Sequence, residues 1–164
     1  MVTIPLVEEL MVIDYPKVDK DDTLQHALKV MDKYGMDRVL AFEKKQLMGI
    51  LTKKDIVVRL GTLRTRRMSP SHLYVSSVMT GNPLVIEPKV TLIKAARIMV
   101  EKRISSLPVV HQGNVIGLLT KYEVAKVCLE RRDNVPTSLL MSYHPITLKL
   151  GDRIIHARQI IITN

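Results

Sequence analysis

The sequence predicts an α+β fold: two tandem β-α-β-β-α repeats packed as a pseudo-twofold pair, followed by part of a third repeat. Three observations predict it. First, the chain of 164 residues repeats itself at a period of 68 without a gap: Thr23-Leu24 recurs as Thr91-Leu92, Ala27 as Ala95, Met31 as Met99 and Gly49 as Gly117. Gly49-Ile50-Leu51-Thr52-Lys53 returns as Gly117-Leu118-Leu119-Thr120-Lys121, with Asp55 opposite Glu123. Second, each repeat passes from a helical apolar period to two short β-rich runs and back to a helix. Third, Met141-Ser142-Tyr143-His144-Pro145 echoes Met79-Thr80-Gly81-Asn82-Pro83 at an offset of 62, opening a copy that stops at Asn164.

The elements follow in order. A short extended segment such as Leu84-Val85-Ile86 precedes the first helix of a repeat. Leu24, Ala27, Leu28 and Met31 then fall at i, i+3, i+4 and i+7, the stripe of an amphipathic helix; Leu92, Ala95, Ala96 and Met99 repeat the spacing. Thr23 and Thr91 stand where N-caps belong. Val39 to Phe42 and Leu47 to Leu51 read as strands around a turn at Glu43 to Gln46. Leu107 to Val110 and Val115 to Leu119 do the same around His111-Gln112-Gly113-Asn114. A second helix opens at Thr52 or Thr120 and runs to about Leu60 or Leu129. One such unit, about 55 residues long, buries too little apolar surface to stand alone, so two pack sheet to sheet. The expected divisions are repeat one at 1–62, a basic linker at 63–74, repeat two at 75–132 and a truncated half-repeat at 133–164. In that last part Ile154, Ile155, Ile160, Ile161 and Ile162 form an apolar helical end without strands to cover it, which predicts association.

Composition narrows the functional classes. The chain is 46% apolar, with one Phe, five Tyr and no Trp, so its core is aliphatic, with Met31, Met36, Met48 and Met99 as filler. No apolar run approaches the ~20 residues of a membrane span, and Glu8, Glu9 and Asp14 sit where a signal peptide would be basic and apolar. A single cysteine, Cys128, excludes an internal disulfide framework and predicts a buried apolar role. The expected compartment is cytoplasmic. The five histidines are scattered, with none at i, i+4 spacing, so no metal site is expected. Phosphate-binding Gly-x-x-x-x-Gly-Lys and Gly-x-Gly-x-x-Gly turns are both missing from the sequence.

The net charge of +9 is unevenly spread. Residues 1–62 carry ten basic and ten acidic side chains, and residues 63–164 carry fifteen and six. Arg64, Arg66 and Arg67 are the densest basic cluster. It reads first as a solvated linker and second as a nucleic-acid patch.

The repeat resembles the cystathionine-β-synthase (CBS) domain, which occurs as tandem pairs. The residues carrying the resemblance are Val75-x-x-Val78-Met79-Thr80, Pro88-x-x-Thr91-Leu92-x-x-Ala95, Arg103-Ile104-Ser105-Ser106-Leu107-Pro108-Val109-Val110 and Gly117-x-x-Thr120-x-x-Glu123. Repeat one departs from the pattern, with Val39-Leu40 for Leu107-Pro108 and Met11-Val12 for Met-Thr. The resemblance implies a regulatory module without catalysis. It implies an adenosine-containing ligand (AMP, ADP, ATP or S-adenosylmethionine) in a cleft between repeats, and dimers. A first site would combine Thr52, Lys54 and Asp55 with Asn82, Leu84, Ile104, Ser105 and Ser106. The mirror site would combine Thr120, Tyr122 and Glu123 with Asp14, Pro16, Met36, Asp37 and Arg38.

The residue chemistry suits the first site better. Thr52 opens a helix whose free N–H groups favour a phosphate, Asp55 can accept from a ribose diol, Leu84 and Ile104 can sandwich a purine, and Lys54 can add charge. In the mirror site Asp37 stands near Glu123, two carboxylates against an anionic ligand, with Arg38 as an offset. Thr52-x-x-Asp55 and Thr120-x-x-Glu123 read equally as capping boxes, and Gly49 and Gly117 as positions of close backbone approach. Three functions are thereby open: a nucleotide-sensing module, a nucleic-acid binder using the basic linker, and a structural dimerisation module.

Overall fold

Both repeats begin their first helix at the threonine. In a computed structural model that describes residues 4–60, 70–130, 136–141 and 143–163, helix α1 spans Leu24–Lys33 and its repeat-two counterpart, α3, Leu92–Glu101. Arg64, Arg66 and Arg67 lie outside the described residues, as does the side chain of Cys128. Leu24, Ala27 and Met31 are fully buried, and Leu92, Ala95 and Met99 nearly so. The Thr23 hydroxyl accepts from the His26 N–H at 3.2 Å. Thr91 differs: it sits at the N-cap position of α3, but its side chain makes no capping bond.

Strand β1 (Lys17–Asp19) lies parallel to β2 (Arg38–Glu43), which pairs antiparallel with β3 (Gln46–Thr52) and leads to α2 (Lys53–Leu60). In repeat two, β5 (Ser106–His111) pairs with β6 (Asn114–Thr120), and α4 (Lys121–Glu130) follows. The extended segment expected at Leu84-Val85-Ile86 shrinks to one parallel bridge, Ile86 to Val109. Two prolines explain this. In repeat one, the N–H groups of Lys20 and Leu40 donate to Phe42 and Pro16 and lengthen the ladder. Their counterparts are Pro88 and Pro108, which have no N–H, so only the two bonds of Ile86 remain.

The repeats exchange their lead-in segments. Thr80–Gly81 forms β4 on the edge of β3 in repeat one, while Val12 bridges to Leu118 of β6 in repeat two. The N–H of Leu24 donates to Leu73, just ahead of repeat two, and that of Leu92 to Pro5 of repeat one, so the first N–H of each first helix is satisfied by backbone from outside its own repeat. Val75 belongs to the core of repeat one, with Leu24, Met31 and Leu51. Val7 belongs to that of repeat two, with Leu92, Met99 and Leu119. Each core is thus completed by a lead-in segment from elsewhere in the chain, Val75 in the first and Val7 in the second.

Gly49 and Gly117 sit under this exchange. A Cβ on Gly49 would stand 2.6 Å from Met79 Sδ and 2.8 Å from the Thr80 carbonyl oxygen, and one on Gly117 2.5 Å from Met11 Sδ. The close backbone approach expected of both glycines is found at Gly49, whereas at Gly117 the near atoms are those of the Met11 side chain. Strands β2 and β5 are covered on both faces. Val39 and Ala41 join the core beneath α1, while Arg38 and Leu40 are buried on the opposite side, where Arg38 reaches Ser105 of repeat two.

Beyond α4, helix α5 covers Thr137–Leu140 and α6 covers Ile154–Thr163, the latter matching α3 at the offset of 62. Ile154 and Ile161 stand where Leu92 and Met99 are buried, yet they are 87% and 46% exposed. Among the described residues no helix is long and apolar enough to cross a membrane.

Candidate functional site

Crossing the repeats creates two clefts, each between the start of one repeat's second helix and the first-helix exit of the other. Cleft one, about 290 Å³, is lined by Thr52 and Asp55 from repeat one and by Asn82, Leu84, Ile104, Ser105 and Ser106 from repeat two, together with Ile50, Thr80, Pro83 and Arg103. Seven of the eight residues expected for the first site meet there. Lys54 does not line it. With 3.6 residues per turn, the position before Asp55 points roughly 100° around the helix, and Lys54 is exposed. Lys53 is turned away too, paired with Asp32 at 2.7 Å.

The capping reading of Thr52 and Asp55 is realised. The Thr52 N–H and Oγ1–H donate to Asp55 Oδ2 at 2.8 and 2.7 Å, and the Asp55 N–H donates to Thr52 Oγ1 at 3.2 Å. Both donations to the carboxylate use one oxygen, so capping and ligand contact are compatible: Oδ1 accepts no bond among the described residues. Leu84 is 46% exposed and Ile104 half-buried, so both leave apolar surface open on the cavity wall. The Ser105 carbonyl accepts from the Lys121 N–H at 3.0 Å, so that main-chain acceptor is already engaged. The Ser105 hydroxyl accepts from Arg38 Nη1 at 2.9 Å and keeps its own O–H to donate.

Cleft two is larger, about 590 Å³, and is lined by Tyr34, Gly35, Met36, Asp37, Arg38, Thr120, Lys121, Tyr122 and Glu123. Asp14 and Pro16, expected in the mirror site, do not line it. Pro16 is buried, its carbonyl taken by Leu40 N–H. Asp14 accepts from the Tyr34 hydroxyl at 3.3 Å, and its charge raises the Tyr34 phenol above its ordinary range. Glu123 repeats the cap, accepting from the Thr120 N–H at 2.9 Å and from the Thr120 hydroxyl. Asp37 and Glu123 do face one cavity, and the offset by Arg38 is direct. Arg38 grips Asp37 with Nε and Nη2 at 2.8 and 3.1 Å, and this holds the Asp37 carboxyl below the usual carboxylate range. The Arg38 side chain is 9% exposed. It spends its donors inside the protein, linking the two clefts.

Arg103 was missed as a site residue in the sequence, although its signal is structural and simple. Helices α1 and α3 end in the same motif. Gly35 and Met36 donate to Asp32 and Met31, and Arg103 and Ile104 donate to Val100 and Met99, the bonding of a Schellman cap whose turning residue is usually glycine. Gly35 takes φ 62° there, and Arg103 takes φ 53°. A left-handed backbone costs a non-glycine residue roughly 1–2 kcal/mol.

Known proteins share this fold. The CBS domain family matches residues 7–61 and 75–130. An inosine-5′-monophosphate dehydrogenase from Korarchaeum cryptofilum (strain OPF8) is 28% identical over 118 residues, a match covering 71% of this chain and 23% of that protein. The chain thus spans less than a quarter of that relative. The crystal structure of CBSX2 in complex with AMP is similar with a TM-score of 0.66 at 23% identity, covering 77% of this chain and 98% of that one. The CBS domain pair of protein MJ0100, in complex with 5′-methylthioadenosine and S-adenosyl-L-methionine, is similar with a TM-score of 0.69 at 19% identity, over 79% of this chain and 100% of that one. At such identities the two structures are likenesses of fold.

Proposed function

The chain belongs to the CBS domain family, and from that premise we propose that it is a regulatory module binding an adenosine-containing ligand in cleft one. The observation that carries this reading is the convergence, across the exchanged repeats, of Thr52 and Asp55 with Asn82, Leu84, Ile104 and Ser105 around one cavity. Asp55 Oδ1 accepts from the ribose hydroxyls, which offer two O–H donors. Leu84 and Ile104 provide apolar surface for a flat base, and the Ser105 hydroxyl donates to a ring nitrogen. The protein's part is to bind and report; no residue is assigned to catalysis. AMP bound to CBSX2, and 5′-methylthioadenosine and S-adenosylmethionine bound to MJ0100, support the ligand class by analogy.

Isothermal titration with AMP, ADP, ATP and S-adenosylmethionine tests the proposal. At least one binds below millimolar concentration, and Asp55→Ala weakens it. If none does so, the reading fails. Homodimerisation belongs to the same proposal and is supported by the exposed isoleucines of α6. Sedimentation equilibrium showing a monomer at tens of micromolar would remove that part alone.

A further inference from the structure

We propose that Arg38 is a positioning residue that couples the two clefts: anchored on Asp37 in cleft two, it fixes the Ser105 hydroxyl in cleft one, so that a ligand bonded by Ser105 tightens the Asp37 pair on the other side. The inference rests on the reading of cleft one as the ligand site and adds how its occupancy is passed on. Positions 37 and 105 are twins at the offset of 68, as are 38 and 106. Asp37 lines cleft two and Ser105 lines cleft one. One guanidinium spans these twins: Arg38 holds Asp37 with Nε and Nη2 and donates to Ser105 Oγ with Nη1 at 2.9 Å. Among the described residues no other side-chain hydrogen bond joins the linings of the two clefts.

The repeat frame does not require an arginine at that place. Its twin Ser106 is buried at the same position of β5, 6% exposed against 8% for Arg38. A buried guanidinium is costly unless it is paired and hydrogen-bonded, and the partners Arg38 finds stand one in each cleft. Its two-pronged grip on Asp37 fixes the guanidinium plane, which leaves Nη1 aimed at Ser105. The Ser105 hydroxyl, having accepted that bond, keeps its hydrogen to donate into cleft one. Donation makes its oxygen a better acceptor, so the bonds of such a chain strengthen one another. The main chain adds two ties in parallel. The Lys53 N–H, at the start of α2 between Thr52 and Asp55, donates to the Asp37 carbonyl at 2.8 Å, and the Lys121 N–H, at the start of α4, donates to the Ser105 carbonyl at 3.0 Å. Each twin is therefore bonded to the helix start of the cleft that it does not line. By linkage, the factor that a ligand adds to the Asp37–Arg38 pair is the factor that the pair adds to the ligand's affinity.

Two measurements on the full-length protein at neutral pH test the coupling. Without ligand, hydrogen exchange of the Arg38 Nε–H, followed by NMR, reads the far side of the link, because this group bonds Asp37 and not Ser105. Ser105→Ala quickens the exchange about two- to threefold, and Ser105→Thr, which keeps a hydroxyl, restores it. With ligand, calorimetric titration with uncharged adenosine compares wild type, Asp37→Asn, Ser105→Ala and the double variant. Asp37→Asn weakens adenosine binding about two- to threefold, although Asp37 does not line cleft one, and it does so only where Ser105 is present. Should Asp37→Asn fold poorly, Arg38→Lys keeps the charge without the planar fork and takes its place in the cycle. Losses that multiply independently in the double variant, or an exchange rate indifferent to Ser105→Ala, overturn the proposal and leave the adenosine reading standing. If neither adenosine nor AMP binds while Ser105→Ala still quickens the exchange, the adenosine reading falls and the link through Arg38 stands.

Discussion

Cleft one and cleft two are assembled from positions 68 residues apart, yet the same backbone yields two different chemistries. Cleft one is a cavity of about 290 Å³ with aliphatic walls at Ile50, Leu84 and Ile104 and with Arg103 as the one cation among its described lining residues. Cleft two is twice that size, about 590 Å³, with Tyr34, Asp37, Arg38, Lys121, Tyr122 and Glu123 around it. Where cleft one has Ser105 and Ser106, cleft two has Asp37 and Arg38, which spend their charge on each other at 2.8 and 3.1 Å. The lesson is that pseudo-symmetry conserves the frame and the carboxylate caps of the second helices, while the residues lining the two clefts diverge.

The largest expected difference tests that lesson directly. Asp55→Ala and Glu123→Ala each remove a capping carboxylate, so both lower stability by about 1 kcal/mol. Only Asp55→Ala lowers AMP affinity, by about 10- to 100-fold for the loss of a charged hydrogen-bond partner. Urea unfolding and calorimetric titration on both variants read the two effects separately; equal affinity losses would make the clefts functional equals.

Arg38→Ala comes next. It removes a buried guanidinium that bonds Asp37 and Ser105, and a loss of about 2 kcal/mol is expected by urea denaturation. Asp37 is already 62% exposed and hydrates once released, which keeps the loss below that of a fully buried pair. The two strand glycines should differ as well. Gly49→Ala drives its Cβ into the Thr80 carbonyl as well as Met79, costing about 2 kcal/mol by overpacking. At Gly117 the three nearest atoms all belong to the Met11 side chain, most of which can swing aside, so Gly117→Ala costs less than Gly49→Ala. Melting temperatures rank them, and the reverse order would contradict the lead-in exchange as described.

The smallest effect is a pH dependence confined to cleft two. Arg38 lowers the Asp37 carboxyl in the folded protein, so this contribution is present above the unfolded value of about 3.9 and fades as pH falls through the lower folded value. Thermal melts from neutral pH downward should show wild type losing this increment below about pH 4, while Asp37→Asn lacks it throughout. Exposure of Asp37 keeps the increment small. A variant that lost the increment near neutral pH would overturn the assignment.

Much of the site was legible because its signals are local. Thr52-x-x-Asp55 puts two partners one helical turn apart, a spacing independent of anything distant. Pro88 and Pro108, visible in the sequence, foretell the weakened strand at Ile86 once their missing N–H groups are counted. Lys54 was misplaced because adjacency to Asp55 in sequence is divergence on a helix. Thr91 occupies a cap position without a side-chain capping bond, a difference from Thr23 that the identical residue type does not foretell. Arg103 is a charge in the sequence, and its φ of 53° and the cavity it borders appear only in the structure.

By itself, then, the sequence determined the β-α-β-β-α unit, its duplication and the identity of the capping pairs, because apolar period and short-range hydrogen bonding are properties of neighbouring residues. The exchange of lead-in segments, the reach of Arg38 across to Ser105 and the placing of Arg103 beside cleft one were decided only in the tertiary structure. Each depends on groups far apart in the chain whose distances and unsatisfied donors exist only after the repeats have packed.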